Sequence, residues 1–595
     1  MGSRTNRSYS PLDDLTQTMD EDGNLTRFTY DQNSNLKTVA DANGGQASYS
    51  YDPMNRMASR NDPLGAFESY GYDGNGNLTG HFDRRGKTAI YQFDGINRRK
   101  FAGFGYTGSS YESTINYTWD RGDHLTQTVD SIAGTVMRQY NDGLDDLTHE
   151  QTPQGEVGYQ FDIARRRQSM TVVGQPTVSY GWDNANRLTG TTQGTRSIPI
   201  AYDNANRKHT LTLPNGILLT YTYDNDSRVT AMTWALGSTA VGDLEYQYDA
   251  DSRVTQKTGS FAGTKLPAAM TGNTFNAANE MTAFNGTPQT YDANGNLTND
   301  GTNTYTWDAR NHLTAITGPS SATFAYDPLG RRDQKTINGS STQFLYDGHN
   351  PVQEIQNGAP SANLISGLGI DEYLQRTDSA GARDYLTDIL SSTLALTDSS
   401  GTKQTSYMYD PFGNSAATGQ ASSNPYQFTG RENDGTGLYF NRNRYYSPSP
   451  GRFISQDPLD FKGGINLYGY AGNSPTNLTD PSGLDTLLCV ELPKPSSDFI
   501  PHMFLCAPDN KKCKGMYSKH KHNPFDDGVL NPDDWNKADK CITVSKHRPC
   551  VDQCVQYFFA LDPGRYAIPI HDCIDWAWAT QSACKEACTL TGETL

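Results

Sequence analysis

A repeat of about 21 residues constrains the fold of this chain more than any other feature. An aromatic-Asp pair, a small turn and an Arg- or Asn-containing step recur along most of the amino-terminal part. The pairs stand at Tyr30-Asp31, Tyr51-Asp52, Tyr72-Asp73 and Phe93-Asp94, then at Phe161-Asp162, Trp182-Asp183, Tyr202-Asp203 and Tyr223-Asp224, with looser copies at Tyr291, Trp307, Tyr326 and Tyr346. Copies such as YDGNGNLTG combine an alternating strand with an Asn-Gly turn, a strong hairpin signal. Because a lone hairpin is marginal in water, we predict that successive copies pair edge to edge into one continuous sheet.

The aromatic-Asp pairs themselves are typical of structural positions. Tyrosine packs its ring and hydrogen-bonds through its hydroxyl, while the aspartate side chain caps the turn. A sugar-binding role for exposed tyrosines is the alternative, but no special cluster of them supports it.

Composition excludes several classes of protein. No run of about 18 apolar residues occurs in the chain and its amino end lacks an apolar signal region, so we predict neither a membrane span nor a secretory signal peptide. The net charge of −17 argues against nucleic-acid binding, and residues 485–595 carry only −3 of it. Since the chain begins in mid-pattern, we expect an upstream delivery module to be missing or to be supplied by a separate polypeptide.

The YDxxGNLT and YDxxNRL copies resemble the YD repeats of RHS proteins, relatives of the teneurin shell and of the C component of insecticidal Tc toxins. The resemblance covers roughly residues 20–484. It implies a mainly β fold in which the repeats spiral into a hollow β-cocoon around a toxic carboxy-terminal domain. We therefore expect a YD-repeat shell over residues 1–425, an RHS-associated core over 426–484, and a small α+β cysteine-rich toxin domain over 485–595.

The segment RNRYYSPSPGRFISQDPLDFKGGINLYGYAGNSPTNLTDPSGL is similar to the RHS-associated core motif. It departs from the usual pattern at Ser447, where Asp is common, and at Leu459-Asp460-Phe461, where Ile-Gly-Leu is common. In the family this motif is an autoprotease that cuts after the final leucine. The resemblance thus implies scission between Leu484 and Asp485.

The two Asp-Pro aspartates of the motif, Asp457 and Asp480, are the expected catalytic pair. Two close carboxyl groups can share a proton, so that one activates water while the other protonates the departing amide. Arg452 is a plausible charge partner. The alternative is that both Asp-Pro steps are ordinary turn starters.

All nine cysteines of the chain lie after Leu484, a density that approaches that of disulfide-stabilised domains. The pairs Cys550/Cys554 and Cys584/Cys588 each place two sulfurs on one face of an expected helix. If the other cysteines also pair, one is left over, and Cys573 is the best candidate. A thiol at a helix amino terminus is activated as a nucleophile, and His502 could serve as its base.

The blocks HMFL at 502–505 and DCIDWA at 572–577 resemble the permuted NlpC/P60 papain-like hydrolases. That resemblance implies a cysteine hydrolase of amide or ester bonds, although Asp572 stands where Asn is commoner. Alternatively, Cys573 is another disulfide half and His502 a surface residue. A zinc site at His520 and His522 is a weaker alternative because paired Cys-x2-Cys ligands are lacking.

These observations predict a self-cleaving RHS effector used in interbacterial competition. It would be made without a signal peptide in the bacterial cytoplasm and delivered to a target cell by a dedicated secretion system such as type VI. We expect an immunity protein as partner, a peptide, peptidoglycan or lipid substrate, no nucleic acid, no cofactor and no metal. The alternatives are a non-catalytic adhesion or carbohydrate-binding shell, and a nuclease or membrane-disrupting cargo.

Overall fold

The computed structural model describes residues 6–484 apart from Glu21 and Asp142, and the backbone of residues 504–506 and 513–515. Within residues 6–258, 24 strands pair antiparallel, each with the next along the chain. They are β1 Asn6–Tyr9, β2 Leu15–Met19, β3 Leu25–Tyr30, β4 Leu36–Ala40, β5 Gln46–Tyr51, β6 Met57–Asn61, β7 Phe67–Tyr72, β8 Leu78–Phe82, β9 Thr88–Phe93, β10 Arg99–Phe104, β11 Ser113–Trp119, β12 Leu125–Asp130, β13 Gly134–Tyr140, β14 Leu147–Thr152, β15 Gly155–Phe161, β16 Arg167–Val172, β17 Val178–Trp182, β18 Leu188–Gln193, β19 Arg196–Tyr202, β20 Lys208–Thr212, β21 Ile217–Tyr223, β22 Val229–Leu236, β23 Thr239–Tyr248 and β24 Val254–Thr258.

A second antiparallel sheet follows after a short three-stranded one. The small sheet comprises β25 Thr274–Phe275, β26 Met281–Phe284 and β27 Thr287–Pro288. The second large sheet comprises β28 Thr290–Tyr291, β29 Leu297–Asn299, β30 Thr304–Trp307, β31 Leu313–Thr317, β32 Ala322–Tyr326, β33 Arg332–Ile337, β34 Ser340–Asp347, β35 Asn350–Gln356, β36 Ala359–Ser366, β37 Tyr373–Asp378, β38 Gly381–Thr387, β39 Thr393–Thr397, β40 Lys403–Tyr409 and β41 Ser415–Gly419.

The prediction of a mainly β, YD-repeat shell is confirmed, but the prediction of one continuous sheet is wrong. The ladder stops at Thr258 and a new one starts at Thr290. Between them the aromatic-Asp repeat is absent from the sequence, and Pro267 removes a backbone donor that a central strand would need. Loss of the repeat therefore interrupts the sheet.

The repeat aspartate organises each turn as the sequence predicts. In a typical copy, Asp52 Oδ1 accepts hydrogen bonds from the backbone N–H groups of Met54 (2.8 Å) and Arg56 (3.0 Å), and its Oδ2 accepts one from Arg56 Nε at 2.7 Å. Asn55, between them, has φ of +61°. The turn thus favours Asn, Gly or another short residue at that position, because bulkier side chains disfavour the left-handed region, although Arg165 occupies it in the Phe161-Asp162 copy.

The tyrosines of the pairs tie their repeats to the ones before. Tyr51, Tyr72 and Tyr223 donate from their hydroxyls to backbone carbonyls 15 residues earlier, at 2.6 to 3.0 Å. The guanidinium of Arg56 stacks 4.6 Å from the centre of the Tyr72 ring. These contacts confirm the structural interpretation of the aromatic-Asp pairs.

The two large sheets meet as successive turns of a spiral. Three ion pairs between them join Asp130 to Arg310, Glu150 to Arg331 and Arg167 to Asp347, at 2.5 to 2.7 Å. Their sequence separations are 180, 181 and 180 residues. Across this part of the shell, one turn of the spiral therefore takes about 180 residues.

A hydrophobic cluster joins the same two sheets. Ile217, Trp234 and Leu244 of the first sheet pack with Leu386 and Leu394 of the second, and all five are almost fully buried. Burying such side chains contributes roughly 1.5–3 kcal/mol each. Apolar packing therefore accompanies the ion pairs between the turns.

The segment after the second sheet folds into four short strands and three 3-10 turns. The strands are β42 Glu432–Asn433, β43 Tyr439–Asn441, β44 Arg444–Ser447 and β45 Arg452–Phe453, and the turns span Phe428–Gly430, Asp460–Lys462 and Ala471–Asn473. Arg332 of β33 is fully buried and bonds to Glu432 (2.6 Å) and Asp434 (2.5 Å). Because unpairing a buried charge costs about 3–5 kcal/mol, this contact holds the segment against the second sheet.

Among the residues that the structure describes, no helix is long and apolar enough to cross a membrane. Beyond Leu484 the described backbone consists of two short strands, β46 Phe504–Cys506 and β47 Cys513–Gly515, which pair antiparallel. The predicted domain boundaries at residues 425 and 484 stay predictions.

Asp333 gives the shell a testable pH dependence. Its side chain is buried and accepts a hydrogen bond from Gln154 of the first sheet at 3.1 Å. Burial, together with the nearby charge of Asp327, raises its pKa from 3.8 to about 7. Between about pH 4 and pH 7 the folded chain therefore binds more protons than the unfolded chain, and this group's contribution to stability falls as the pH rises.

We expect Asp333→Asn to raise the melting temperature at pH 8 and to leave it nearly unchanged at pH 4.5. The variant removes a charge whose burial costs on the order of 4 kcal/mol at the higher pH. Differential scanning fluorimetry at both pH values measures the effect, with Asp226→Asn as control because that side chain is 71% exposed. Equal shifts at the two pH values would contradict the expectation.

Candidate active site

Asp457 and Asp480 meet at one buried cation. Asp457 follows β45, Asp480 lies near the end of the core segment, and both are buried. A guanidinium nitrogen (Nη2) of Arg444, in β44, lies 2.8 Å from Asp457 Oδ2 and 3.4 Å from Asp480 Oδ2. The fold therefore brings together two carboxylates that are 23 residues apart in sequence.

Arg444 contributes more than charge to this cluster. Its Nε donates to the carbonyl of Gly483 and its Nη1 to the carbonyl of Leu467 at 3.0 Å. Its guanidinium stacks 3.6 Å from the centre of the Phe453 ring. One rigid, planar group thus contacts both aspartates and the backbone next to the predicted cut.

Arg452, the cation that we selected from the sequence, lies elsewhere. Its Nη2 donates to the carbonyl of Asn279 at 2.5 Å, and its guanidinium stacks 4.5 Å from the Tyr468 ring. Burial lowers its pKa. Sequence reasoning missed Arg444 because both arginines belong to the same motif, and proximity along the chain favours Arg452. Arg444 could have been found from the rule that two buried carboxylates at one site need a cation between them.

Asp480 holds the end of the segment in a tight loop. Its Oδ1 accepts hydrogen bonds from the hydroxyl of Ser482 (3.1 Å) and from the backbone N–H groups of Gly483 (2.8 Å) and Leu484 (3.0 Å). Leu484 is itself buried. Gly483 has φ of +72°, and a Cβ there would collide with the carbonyl oxygen of Asn441. The loop thus presents the residue before the predicted cut in one fixed position.

The side chains of four consecutive residues, 441–444, donate hydrogen bonds to four consecutive backbone carbonyls of this loop. Asn441 donates to the carbonyl of Asp480 (2.8 Å), Arg442 to that of Pro481 (2.5 Å), Asn443 to that of Ser482 (3.0 Å), and Arg444 to that of Gly483. Each pair is 39 residues apart. We call residues 441–444 the carbonyl clamp. Because these side chains bond to backbone carbonyls, they fix the path of the chain towards Leu484 whatever side chains residues 480–483 carry.

The carbonyl clamp is fastened to the second sheet through Asp371. Arg442 and Arg431 both bond to this carboxylate, at 2.8 and 2.6 Å. Burial alone would raise the pKa of Asp371, but the two guanidinium groups hold it below its usual value. The aspartate thus stays charged and keeps both arginines in place.

Asp457 lies in a tightly packed loop that leaves no room for a side chain at Gly463. Asp457 Oδ1 accepts a hydrogen bond from the backbone N–H of Leu459 at 2.8 Å. A Cβ at Gly463 would lie only 2.5 Å from Asp457 Oδ2, so glycine is required there. Among the described residues, no cluster of three or more His, Cys, Asp or Glu side chains could hold a metal ion.

The other predicted site residues lie outside the described part of the chain. These are Asp485 at the predicted junction, and Cys573 and His502 of the predicted hydrolase, together with every predicted disulfide. Their roles stay sequence predictions.

The comparisons with known proteins agree with the fold. The profile described as "Teneurin YD-shell" matches residues 217–476, and "RHS Repeat" matches residues 9–46 and 30–66. The chain is an RHS/YD-repeat protein. The solved structure "Crystal Structure of TcdB2-TccC3-Cdc42" is similar in fold, with a TM-score of 0.63 at 17% identity, over 81% of this chain and 31% of that one.

Curated relatives of this RHS protein are named as toxins or nucleases. It is 36% identical over 224 residues to "tRNA3(Ser)-specific nuclease WapA" of Bacillus spizizenii, covering 35% of this chain and 10% of that protein. It is 30% identical over 237 residues to "Double-stranded DNA deaminase toxin A" of Burkholderia cenocepacia, covering 33% of this chain and 16% of that protein. The chain thus matches only a tenth to a sixth of the length of these relatives.

These relatives overturn the prediction that nucleic acid is not a partner. By their names, both act on tRNA or DNA. The prediction was wrong because it used net charge, both that of the whole chain and the −3 of residues 485–595, and net charge does not report local charge. The charge of a shell does not limit what a separate domain binds, since binding depends on local charge.

Replacing Arg444 tests whether it holds this cluster together. We expect Arg444→Met to lower the melting temperature at pH 7 by several degrees, because it removes the cation that two buried carboxylates share, a loss of about 3–5 kcal/mol. Arg121→Met, at an exposed position, is the matched control. A melting temperature equal to that of the parent would show that Arg444 is dispensable for the site's structure.

Proposed function

We propose that this RHS protein carries a carboxy-terminal toxin and releases it by cutting itself between Leu484 and Asp485. The observation that carries the proposal is the cluster of Asp457, Arg444 and Asp480, next to a loop held in fixed register. If Asp480 only formed a turn, that would explain the hydrogen bonds that its Oδ1 accepts from its own loop. A turn would not account for a second buried carboxylate at the same guanidinium nitrogen.

The proposed reaction is hydrolysis of one peptide bond. Water adds its oxygen to the carbonyl carbon of Leu484, and the bond from that carbon to the nitrogen of Asp485 breaks. One carboxylate takes a proton from the water and the other carboxyl group gives one to the departing nitrogen. The products are a new carboxylate at Leu484 and a new amino group at Asp485.

The contacts favour different roles for the two aspartates. Asp480 Oδ1 already accepts three hydrogen bonds from the loop that precedes the cut. Asp480 therefore positions Leu484, while Asp457 is the better candidate to activate water. The Arg444 guanidinium, which donates to the Gly483 carbonyl, keeps the carboxylates and the backbone in one arrangement.

For the released domain, residues 485–595, we propose a nucleic-acid target. Support comes from relatives named for tRNA and DNA chemistry. Those names describe the relatives themselves, and both profile matches to this chain end before Leu484. The cysteine hydrolase is the second candidate, supported by the sequence around Cys573 and His502.

The toxin proposal also carries expectations about delivery. We propose that the protein reaches a target cell through a dedicated secretion system and that an immunity protein protects the producer. A relative named "Toxin protein Tse5" of Pseudomonas aeruginosa, 43% identical over 101 residues, covering 17% of this chain and 8% of that protein, supports the toxin class.

We expect the purified full-length chain to run as two fragments and Asp457→Asn to stay whole. Removing a general acid or base lowers a rate by about 100-fold to 10,000-fold. Denaturing intact mass spectrometry locates the break at Leu484-Asp485. Asp384→Asn, which changes a buried aspartate of β38 outside the site, should cut like the parent. An uncut parent would reject the proposed cleavage.

The target is tested on the fragment released from the cleaved chain. We expect it to degrade or modify tRNA or plasmid DNA, and Cys573→Ala to keep that activity. Gel electrophoresis and sequencing of the treated nucleic acids provide the measurement. Intact nucleic acids, with hydrolysis of peptidoglycan or lipid that requires Cys573, would instead establish the hydrolase.

A further inference from the structure

The Asp457 loop is tied to the first turn of the shell by a residue that departs from the usual core motif. Asp460 stands where the motif pattern has glycine and has φ of +54°. Its carboxylate accepts hydrogen bonds from Arg60 Nη2 at 2.8 Å and from the Tyr49 hydroxyl at 2.7 Å. Asp460 thus adopts a conformation that suits glycine, and its side chain bonds to residues of strands β5 and β6.

A second arginine of the first sheet holds the other side of the same loop. Arg84, between β8 and β9, donates to Gln456 Oε1 at 3.0 Å and to the carbonyl of Asn294 at 2.9 Å. Gln456 directly precedes Asp457. Asp457 is therefore bracketed by two residues that bond to arginines of the first sheet.

Glu68 of β7 joins these arginines into one network. It bonds to Arg60 at 2.9 Å and lies 3.9 Å from Arg84 Nε. The side chains of all three are at most 10% exposed. Burial alone would raise the pKa of Glu68, but the His81 ring nitrogen 3.6 Å away and the two guanidinium charges lower it to about 2. Glu68 therefore stays charged and fixes both arginines.

We propose that Arg60 and Arg84 are positioning residues for the self-cleavage, so that cutting requires the first strands of the shell to have docked against the Asp457 loop. The inference rests on the proposed cleavage at Leu484. It goes further, because it makes scission depend on two long-range contacts. Arg84 and Gln456 are 372 residues apart in sequence, and Arg60 and Asp460 are 400 apart.

Two physical arguments support this dependence. A displacement of about 1 Å at a reacting group can cost about 100-fold in rate, so a loop held at only one side would cut slowly. Contacts between distant parts of a chain also carry the largest loop-closure cost. A chain whose first strands have not docked would thus keep its cargo attached.

Cleavage kinetics of the full chain test the proposal. The chain and its variants are made by cell-free translation, samples are quenched in denaturant over time, and intact mass gives the fraction cut. Asp460→Gly removes the carboxylate, suits the backbone conformation and leaves the Arg60-Glu68 pair intact. We expect it to slow cutting by about 10-fold to 100-fold. Asp460→Asn, whose Oδ1 can still accept from Arg60 and whose amide can donate to the Tyr49 hydroxyl, should restore much of the rate.

The control separates positioning from general stability. Arg310→Gln breaks another buried ion pair between the two sheets, with Asp130, and leaves the bonding partners of Gln456 and Asp460 in place. We expect it to lower the melting temperature and to leave the cleavage rate unchanged. Arg84→Gln should slow cutting as Asp460→Gly does.

The possible outcomes are distinct. Cutting of Asp460→Gly at the parent rate, or equal slowing by Arg310→Gln, would overturn the positioning role while leaving the proposed cleavage intact. A parent chain that never cuts would overturn both.

Discussion

The aspartate that caps each repeat turn is the contact on which the shell depends. One carboxylate satisfies two backbone N–H groups and, through its other oxygen, a side chain four residues on, as Asp52 does with Met54 and Arg56. Without it, a tight turn with a left-handed residue would leave backbone donors unpaired. Because the same turn recurs about every 21 residues, strand length and register repeat as well. The aromatic neighbour then fixes each hairpin to the preceding one.

Regular pairing within a sheet does not determine how successive turns of the spiral meet. That is decided by side chains about 180 residues apart, such as Asp130 and Arg310, and by apolar residues buried between the sheets. Together these contacts fix the position of the second sheet on the first. The core segment is placed in the same manner, through the fully buried Arg332.

The candidate active site follows from this placement. A loop that ends at Leu484 is held by the carbonyl clamp, which is fastened through Asp371 to the second sheet, whereas the Asp457 loop is fastened through Arg60 and Arg84 to the first. The two aspartates thus come from loops that depend on different turns of the spiral. Two relatives that match about a third of this chain are named for chemistry on tRNA and on DNA.

The sequence by itself determined the hairpin repeat, the mainly β class, the structural role of the aromatic-Asp pairs and the motif that contains Asp457, Asp480 and Leu484. These are local properties, set by turn chemistry and by alternation along a strand. Only the tertiary structure decided that the sheet is interrupted after Thr258, that Arg444 rather than Arg452 contacts the aspartates, and that Asp460 reaches Arg60. Those outcomes depend on which side chains meet after hundreds of residues have wound into a spiral. No local spacing encodes that meeting, because it is set by burial and charge pairing between distant strands.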